Sequence, residues 1–476
     1  MMPIRQAAFS PKENSPPEQQ EEWNIMQPAH IIPDFMKASA GPGPRTARSL
    51  AASAALCLFI CLAVLPARAE TPTVEIIGTG GNMVNVVQAT AMGDASRAAA
   101  LQKGIAANLA ILPFVNVINP ASIPGGAGVS SATGEGVDFR RFAMAQAHML
   151  VTSNWLDPSQ VELRCFTVAS GKFMFGNRYA VGGTENELLD VADKFCADFL
   201  EAVIGRGDFF RSTMAFVKSD GVRKKDVWTV RPNGRYLKKV TNIPGEALSP
   251  SWSPDGSRII FTHIDKRSHG LGVYETGGGT VQRIKFPGNT VIGPAYLPDG
   301  RVAVSLTDGR NPSIFLLGPG LQKERKLDNS PAIDVSPSLD ATGSLMAFTS
   351  NRLGNPHVFL KDLRTGGVRR VSQSGSYNTD PSISPDGTLV AFARREGGGH
   401  RIFVQDLITG LERQLTFGPG SDEEPAFAPD SYFIAFMSTR SGKKEIYVTT
   451  RNGGEPRRLA TGLGDASFPA WGPARR

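Results

Sequence analysis

The sequence predicts an N-terminal α/β domain followed by a six-bladed β-propeller whose ring is closed by the C-terminal strand. Three observations carry the prediction. A Pro-Ser-Trp-Ser-Pro-Asp-Gly stretch at residues 250–256 recurs down the C-terminal half, starting again at Pro294, Pro337, Pro381, Pro425 and Pro469, at offsets of 44, 43, 44, 44 and 44 residues. Between copies the same order of short apolar runs and turn signals returns, as expected of a radially repeated four-stranded unit. Ahead of the array, the residues before Gly205 mix helix and strand signals instead of repeating.

The chain begins with a Pro-, Gln- and Glu-rich stretch, residues 1–35, which reads as a disordered or untranslated extension. Met36 is then a start codon candidate, and residues 36–69 have the layout of a secretory signal. Lys37, Arg45 and Arg48 precede an apolar run from Leu50 to Leu65, and Ala67-Arg68-Ala69 supplies small residues for cleavage. The mature chain is expected to begin at Glu70, in an exported and oxidising setting.

Residues 70–208 form the predicted α/β domain. An Ala-rich helix is expected over Ala98–Ala110, with strands near His148–Thr152 and Val161–Val168. Thr184 followed by Glu187 is a capping box, and Leu188, Ala192, Phe195, Phe199 and Val203 recur on one helical face that ends at Gly205. Cys165 lies on a predicted strand and Cys196 on this helix. Export leaves two readings open, a strand-to-helix disulfide or two buried free thiols.

Residues 209–476 form the predicted propeller. In each repeat the proline, lacking an amide donor, suits the start of a strand, and Pro-Asp-Gly supplies a tight turn with a glycine able to take positive φ. Each motif is therefore an innermost strand with its turn. Three strand-like runs, Met214–Val217, Val227–Val230 and Lys239–Thr241, precede the first motif without one of their own. Pro469-Ala470-Trp471 is expected to supply their inner strand.

Catalytic patterns are not found in these residues. His148, His263, His269, His357 and His400 have no metal-ligand spacing, Gly78-Thr79-Gly80-Gly81 lacks the lysine of a P-loop, and no Gly-x-Ser-x-Gly elbow occurs. The net charge is +7, and the basic residues form no block interleaved with aromatics, so nucleic acid is not an expected partner. Carboxylates do recur immediately before inner strands, at Asp380 and at Glu423 and Glu424. They could hold a cation such as Ca²⁺ at Asp380 and Glu424, meet a basic partner, or form a solvated rim.

With the signal segment, the α/β region, the six motifs and the ending Phe468-Pro469-Ala470-Trp471-Gly472-Pro473, the chain resembles the TolB family of periplasmic Tol-Pal components. The resemblance implies a monomeric, non-enzymatic periplasmic adaptor without a cofactor. It would sit at the outer membrane through the lipoprotein Pal and serve envelope integrity and cell division. It implies Pal contacts just ahead of the second and third inner strands, at Thr290, Val291, Ile292 and Gly293 and at Asp334, Val335 and Ser336. Asp380, Glu423 and Glu424 extend the same rim. TolA would be met by the mature N-terminus, Glu70, Thr71, Pro72, Thr73, Val74 and Glu75. The alternative is a secreted propeller enzyme, or a ligand-binding propeller, using a metal in the central tunnel. The third motif departs from the pattern, reading Pro337-Ser338-Leu339-Asp340-Ala341-Thr342-Gly343 without a Pro-Asp pair.

Overall fold

The computed structural model describes residues 83–475, except 94, 95, 220, 222, 223, 267, 287–289 and 308–310. The N-terminal extension, the signal segment and the predicted TolA-binding residues Glu70 to Glu75 lie outside the described residues.

The first region is built on a five-stranded sheet of order β2-β1-β3-β4-β5. Its strands are β1 (Val84–Gln88), β2 (Val115–Val117), β3 (Met149–Asp157), β4 (Gln160–Thr167) and β5 (Phe173–Ala180). Strand β1 pairs in parallel with β2 and β3, whereas β3, β4 and β5 form an antiparallel meander. Helix α1 (Ala98–Ile111) is the crossover of the β1-α1-β2 unit, and the short α2 (Phe139–Met144) precedes β3. Helix α3 (Glu185–Ile204) begins at the predicted capping box. The Thr184 side chain accepts from Glu187 N, the Glu187 carboxylate accepts from Thr184 N, and Gly205 ends the helix at φ 71°. Helices α1 and α3 pack together where α1 carries Gly104. A Cβ there would lie 2.6 Å from Leu189 Cδ2 and 3.3 Å from Ala192 Cβ, so a side chain at this crossing would require Leu189 to shift.

The capping box also explains an electrostatic detail. Hydrogen bonds from the Thr184 backbone and hydroxyl hold the Glu187 carboxyl below its ordinary range. Cys165 on β4 and Cys196 on α3 are both free and buried in the core between sheet and helices. The Cys196 thiol is directed at the Ile105 carbonyl at 3.9 Å. The strand-to-helix bridge is therefore not formed, and burial pushes the Cys165 thiol up to about 12.

From Met214 the chain forms a multi-sheet β-propeller. Each of the six motif prolines falls in an inner strand: Glu246–Trp252, Val291–Tyr296, Asp334–Leu339, Asn378–Ile383, Asp422–Phe427 and Ala466–Trp471. Four of these head four-stranded antiparallel sheets. The other two share an eight-stranded sheet, in which the sets are joined by one parallel pairing, Lys225 with Glu246, reinforced by their 2.9 Å ion pair. The last strand, Ala466–Trp471, pairs antiparallel with the first propeller strand, Met214–Ser219. It also packs beside the inner strands Asp422–Phe427 and Glu246–Trp252.

The motif turns behave as their residues dictate. Ser253 Oγ donates to Asp255 Oδ1 at 2.6 Å and accepts from Arg258 N, while Asp255 accepts from Ser257 N. The turn glycines Gly256, Gly300, Gly343 and Gly387 all have positive φ, and Ser431 takes φ 58° at the corresponding place in the fifth motif. The third motif keeps this network by exchanging roles. Asp340 accepts from Leu345 N where Ser253 accepts from Arg258 N, and Thr342 accepts from Ser344 N where Asp255 accepts from Ser257 N.

The α/β region and the propeller share one hydrophobic cluster. Leu109, Phe114, Phe199 and Phe209 are buried together with Met214, Phe433, Ile446 and Leu459. Phe209 lies 4.3 Å from the Phe433 ring and 5.4 Å from Trp471, centroid to centroid. Beside this core, Asp190 and Asp193 on α3 meet Arg231 and Arg235 of the first propeller sheet at 2.5–3.0 Å.

Candidate functional site, a cavity ringed by the inner strands

Every inner strand carries the same irregularity. The residue just before each motif proline is left-handed: Ser249, Gly293, Ser336, Asp380, Glu424 and Phe468 have φ between 48° and 57°. In each strand the ladder register shifts at that point, as between Val335 and Ser338 or between Thr379 and Ser382. This is a β-bulge, which bends the strand and redirects a side chain. Proline supplies the cause, because it cannot donate to the ladder and disfavours the helical region in the residue before it.

All six pre-proline residues line a central cavity of about 320 Å³. The backbone of this ring is uniform while its side chains vary. Asp380 and Glu424 bring two carboxyls from adjacent inner strands into it, with Phe468 next to them. Burial raises both acids. For Glu424 it prevails over the hydrogen bond from Phe468 N, at 2.5 Å, and with the nearby Asp380 carboxyl brings the group to about 8. Asp380 is raised mainly by burial, against a hydrogen bond from the Thr379 hydroxyl at 3.1 Å.

The two carboxyls supply at most four of the six to eight oxygens that Ca²⁺ takes. Glu423, the third acid of the predicted rim, is held outside the pair by Ser421 Oγ at 2.6 Å and by His400 Nδ1 at 3.5 Å. Among the described residues no group of three or more His, Cys, Asp or Glu side chains is placed to hold a metal ion.

Of the sequence-predicted rim residues, Gly293, Ser336, Asp380 and Glu424 face the cavity. Thr290, Ile292, Val335 and Glu423 are half-buried at the strand starts. Val291 and Asp334, by contrast, are fully buried. Asp334 instead accepts from Arg352 Nη2 at 3.0 Å. The same device recurs two sheets on, where Asp422 takes Arg440 at 2.9 Å, and in the sheet between, where Asn378 takes Arg394 at 2.8 Å. Position three before the proline thus anchors an arginine of the neighbouring strand. Three such positions carry Asp, Asn and Asp in the sequence, a recurrence that marks the scaffold.

Sequence reasoning also missed what joins one sheet to the next. The serine after the motif proline accepts a backbone N–H from the following sheet: Ser251 from Tyr296, Ser338 from Ile383 and Ser382 from Phe427, at 3.0–3.2 Å. Where alanine replaces that serine, two indoles contribute. Trp252 Nε1 donates to Ala470 O and Trp471 Nε1 to Ala426 O, each at 3.2 Å.

Fold and cavity together define a class: an α/β region followed by a β-propeller whose inner strands ring a central, polar recess. Comparison with known proteins carries this to a family. The family model described as "TolB beta propeller domain" matches residues 200–475. The Tol-Pal system protein TolB of Nitratidesulfovibrio vulgaris is 52% identical over 312 residues, which is 63% of this chain and 70% of that protein. A Protein TolB homolog of Chlorobium luteolum is 34% identical over 181 residues, 38% of this chain and 41% of its own length. The crystal structure of TolB from Acinetobacter baumannii has the same fold, with a TM-score of 0.72 at 19% identity, covering 83% of this chain and 97% of the other. The chain belongs to the TolB family. Among the described residues no helix is long and apolar enough to cross a membrane.

Proposed function

We propose that this protein is a non-enzymatic adaptor of the Tol-Pal system in the periplasm, which binds the lipoprotein Pal at the mouth of the propeller cavity and TolA through its mature N-terminus. Through those contacts it would help maintain the outer membrane and its constriction at division. The observation that carries the reading is the ring of pre-proline residues. A uniform bulged backbone presents six side chains of differing chemistry around one recess, an arrangement that selects a partner without any catalytic group. The relative at 52% identity, named as a Tol-Pal system protein, supplies the system.

Calorimetric titration with the Pal periplasmic domain tests this. Binding is expected, and Ser336→Arg or Glu424→Lys should weaken it about tenfold or more, since each places bulk or opposite charge in the recess. Removing Glu70 to Glu75 should abolish TolA binding and leave Pal binding intact. No Pal binding at high micromolar concentration, or variants that bind like the parent, would sink the assignment.

A further inference from the structure

The basic residues are scattered in the sequence, but folding collects many of them on the outer edges of three consecutive sheets. These edges are the strands Val281–Lys285, Lys323–Lys326 and Val368–Arg370, each paired on one side only. Together they carry seven Lys or Arg residues and a single acid, Glu324. The other three outer strands, Lys238–Lys239, Glu412–Gln414 and Gly453–Arg458, carry five basic residues and two acids. The positive charge is therefore concentrated on one arc of the circumference.

On that arc Arg283, Lys285, Lys323, Arg325, Lys326 and Arg369 are exposed. Among the described residues, no ion pair engages the side chains of Arg283, Lys285, Arg325 or Arg369. Lys323 and Lys326 place their ammonium groups 4.8 and 5.4 Å from the Phe315 ring centroid, which braces them at the edge. Glu324 is itself matched by Arg301 at 3.6 Å. The strands that lie between residues 246 and 370, which carry this arc, contribute no residue to the core shared with the α/β region.

We propose that this basic arc is a docking surface for an anionic phospholipid bilayer. A protein partner would ordinarily demand an aromatic or aliphatic anchor at the centre of the contact, and the apolar residues of these strands are half-buried under their neighbours or, like Val368, isolated. Separated cations without a shaped pocket suit a fluid headgroup layer, whose anions can move beneath them. The surface is separate from the cavity, and its failure would leave the Pal assignment untouched.

Edge lysines and arginines also keep exposed strands from pairing with other chains. Charge reversal separates the two roles, because a glutamate still guards the edge but repels an anionic membrane. The test uses the chain from Arg68 onward, which forms a compact unit of its own and omits the apolar run before it. Co-sedimentation is measured with phosphatidylcholine vesicles with and without phosphatidylglycerol, at low salt and at about 0.5 M salt, where the Debye length is only a few ångströms. Binding is expected with phosphatidylglycerol at low salt and should be lost at high salt. R325E/K326E and R283E/K285E should each lower partitioning about tenfold or more, while remaining monodisperse with unchanged melting. Equal binding to phosphatidylcholine alone, no binding to either vesicle, or unchanged partitioning of both variants would overturn the proposal. So would preferential capture by polyglutamate at matched charge concentration, which would mark an acidic protein site instead.

Discussion

Replacing Asp193 by alanine should be among the most damaging single changes at the junction of the two regions. Its carboxylate is almost fully buried and accepts four hydrogen bonds: from Asn108 Nδ2 at 2.9 Å, Asn233 Nδ2 at 2.7 Å, Arg231 Nη1 at 2.8 Å and Arg235 Nη1 at 2.9 Å. Truncation removes a charge from between two half-buried guanidinium groups and leaves the two amides without their shared acceptor. Loss of one partner from a buried ion pair costs about 3–5 kcal/mol. Arg231 and Arg235 keep Asp190, at 2.5 and 3.0 Å, so the lower end, about 3 kcal/mol, is expected. Asp190 is about a third exposed, so Asp190→Ala should cost only about 1 kcal/mol. Urea unfolding followed by tryptophan fluorescence reads both. A cost below about 1 kcal/mol for Asp193→Ala, or a larger cost for Asp190→Ala, would refute the view that burial sets the value of this cluster. Acid provides a second reading. Burial pushes the Asp190 carboxyl up, but Arg231 and Arg235 outweigh it and hold the group below its ordinary range. Its contribution should be complete above the unfolded value and fade as pH falls through the folded one.

Other predictions concern the propeller and the thiols. Ser382→Ala removes the acceptor for Phe427 N and should lower stability by about 1–2 kcal/mol in urea unfolding; no change would show that this intersheet bond is replaced by water. Glu424, at about 8, binds its proton more tightly in the folded than in the unfolded chain, so its contribution is complete below the unfolded value and is lost as pH rises towards 8. Glu424→Gln should therefore flatten the fall in melting temperature between about pH 5 and pH 8, and a parallel pH profile in the variant would contradict the burial of this acid. Cys165 and Cys196 should resist a maleimide in the native chain and react after unfolding, without any reductant, as mass spectrometry would record.

Much of the architecture is legible because it rests on interactions between near neighbours. The capping box at Thr184 and Glu187 and the Ser253-Asp255 turn depend on residues a few positions apart, so residue type and spacing suffice to find them. The third motif shows the limit of that legibility. Its letters depart from the pattern, yet Asp340 and Thr342 rebuild the same turn by exchanging donor and acceptor. Asp334 shows the opposite failure. The family resemblance places it at the partner-facing rim, but it stands three positions before the proline rather than one, and strand geometry turns it into the scaffold onto Arg352.

By itself, then, the sequence determined the α/β region, the repeated inner strands and the pairing of the last strand with the first of the propeller. A period of 44 residues and local turn chemistry leave few other ways to bury the apolar runs. Only the tertiary structure decided which residues share the cavity, that the two cysteines stay apart, that the serine after three of the motif prolines reaches the next sheet, and that dispersed arginines and lysines meet on one arc. Each of these joins groups whose encounter depends on how whole sheets pack, and on bulges whose direction no local pattern records.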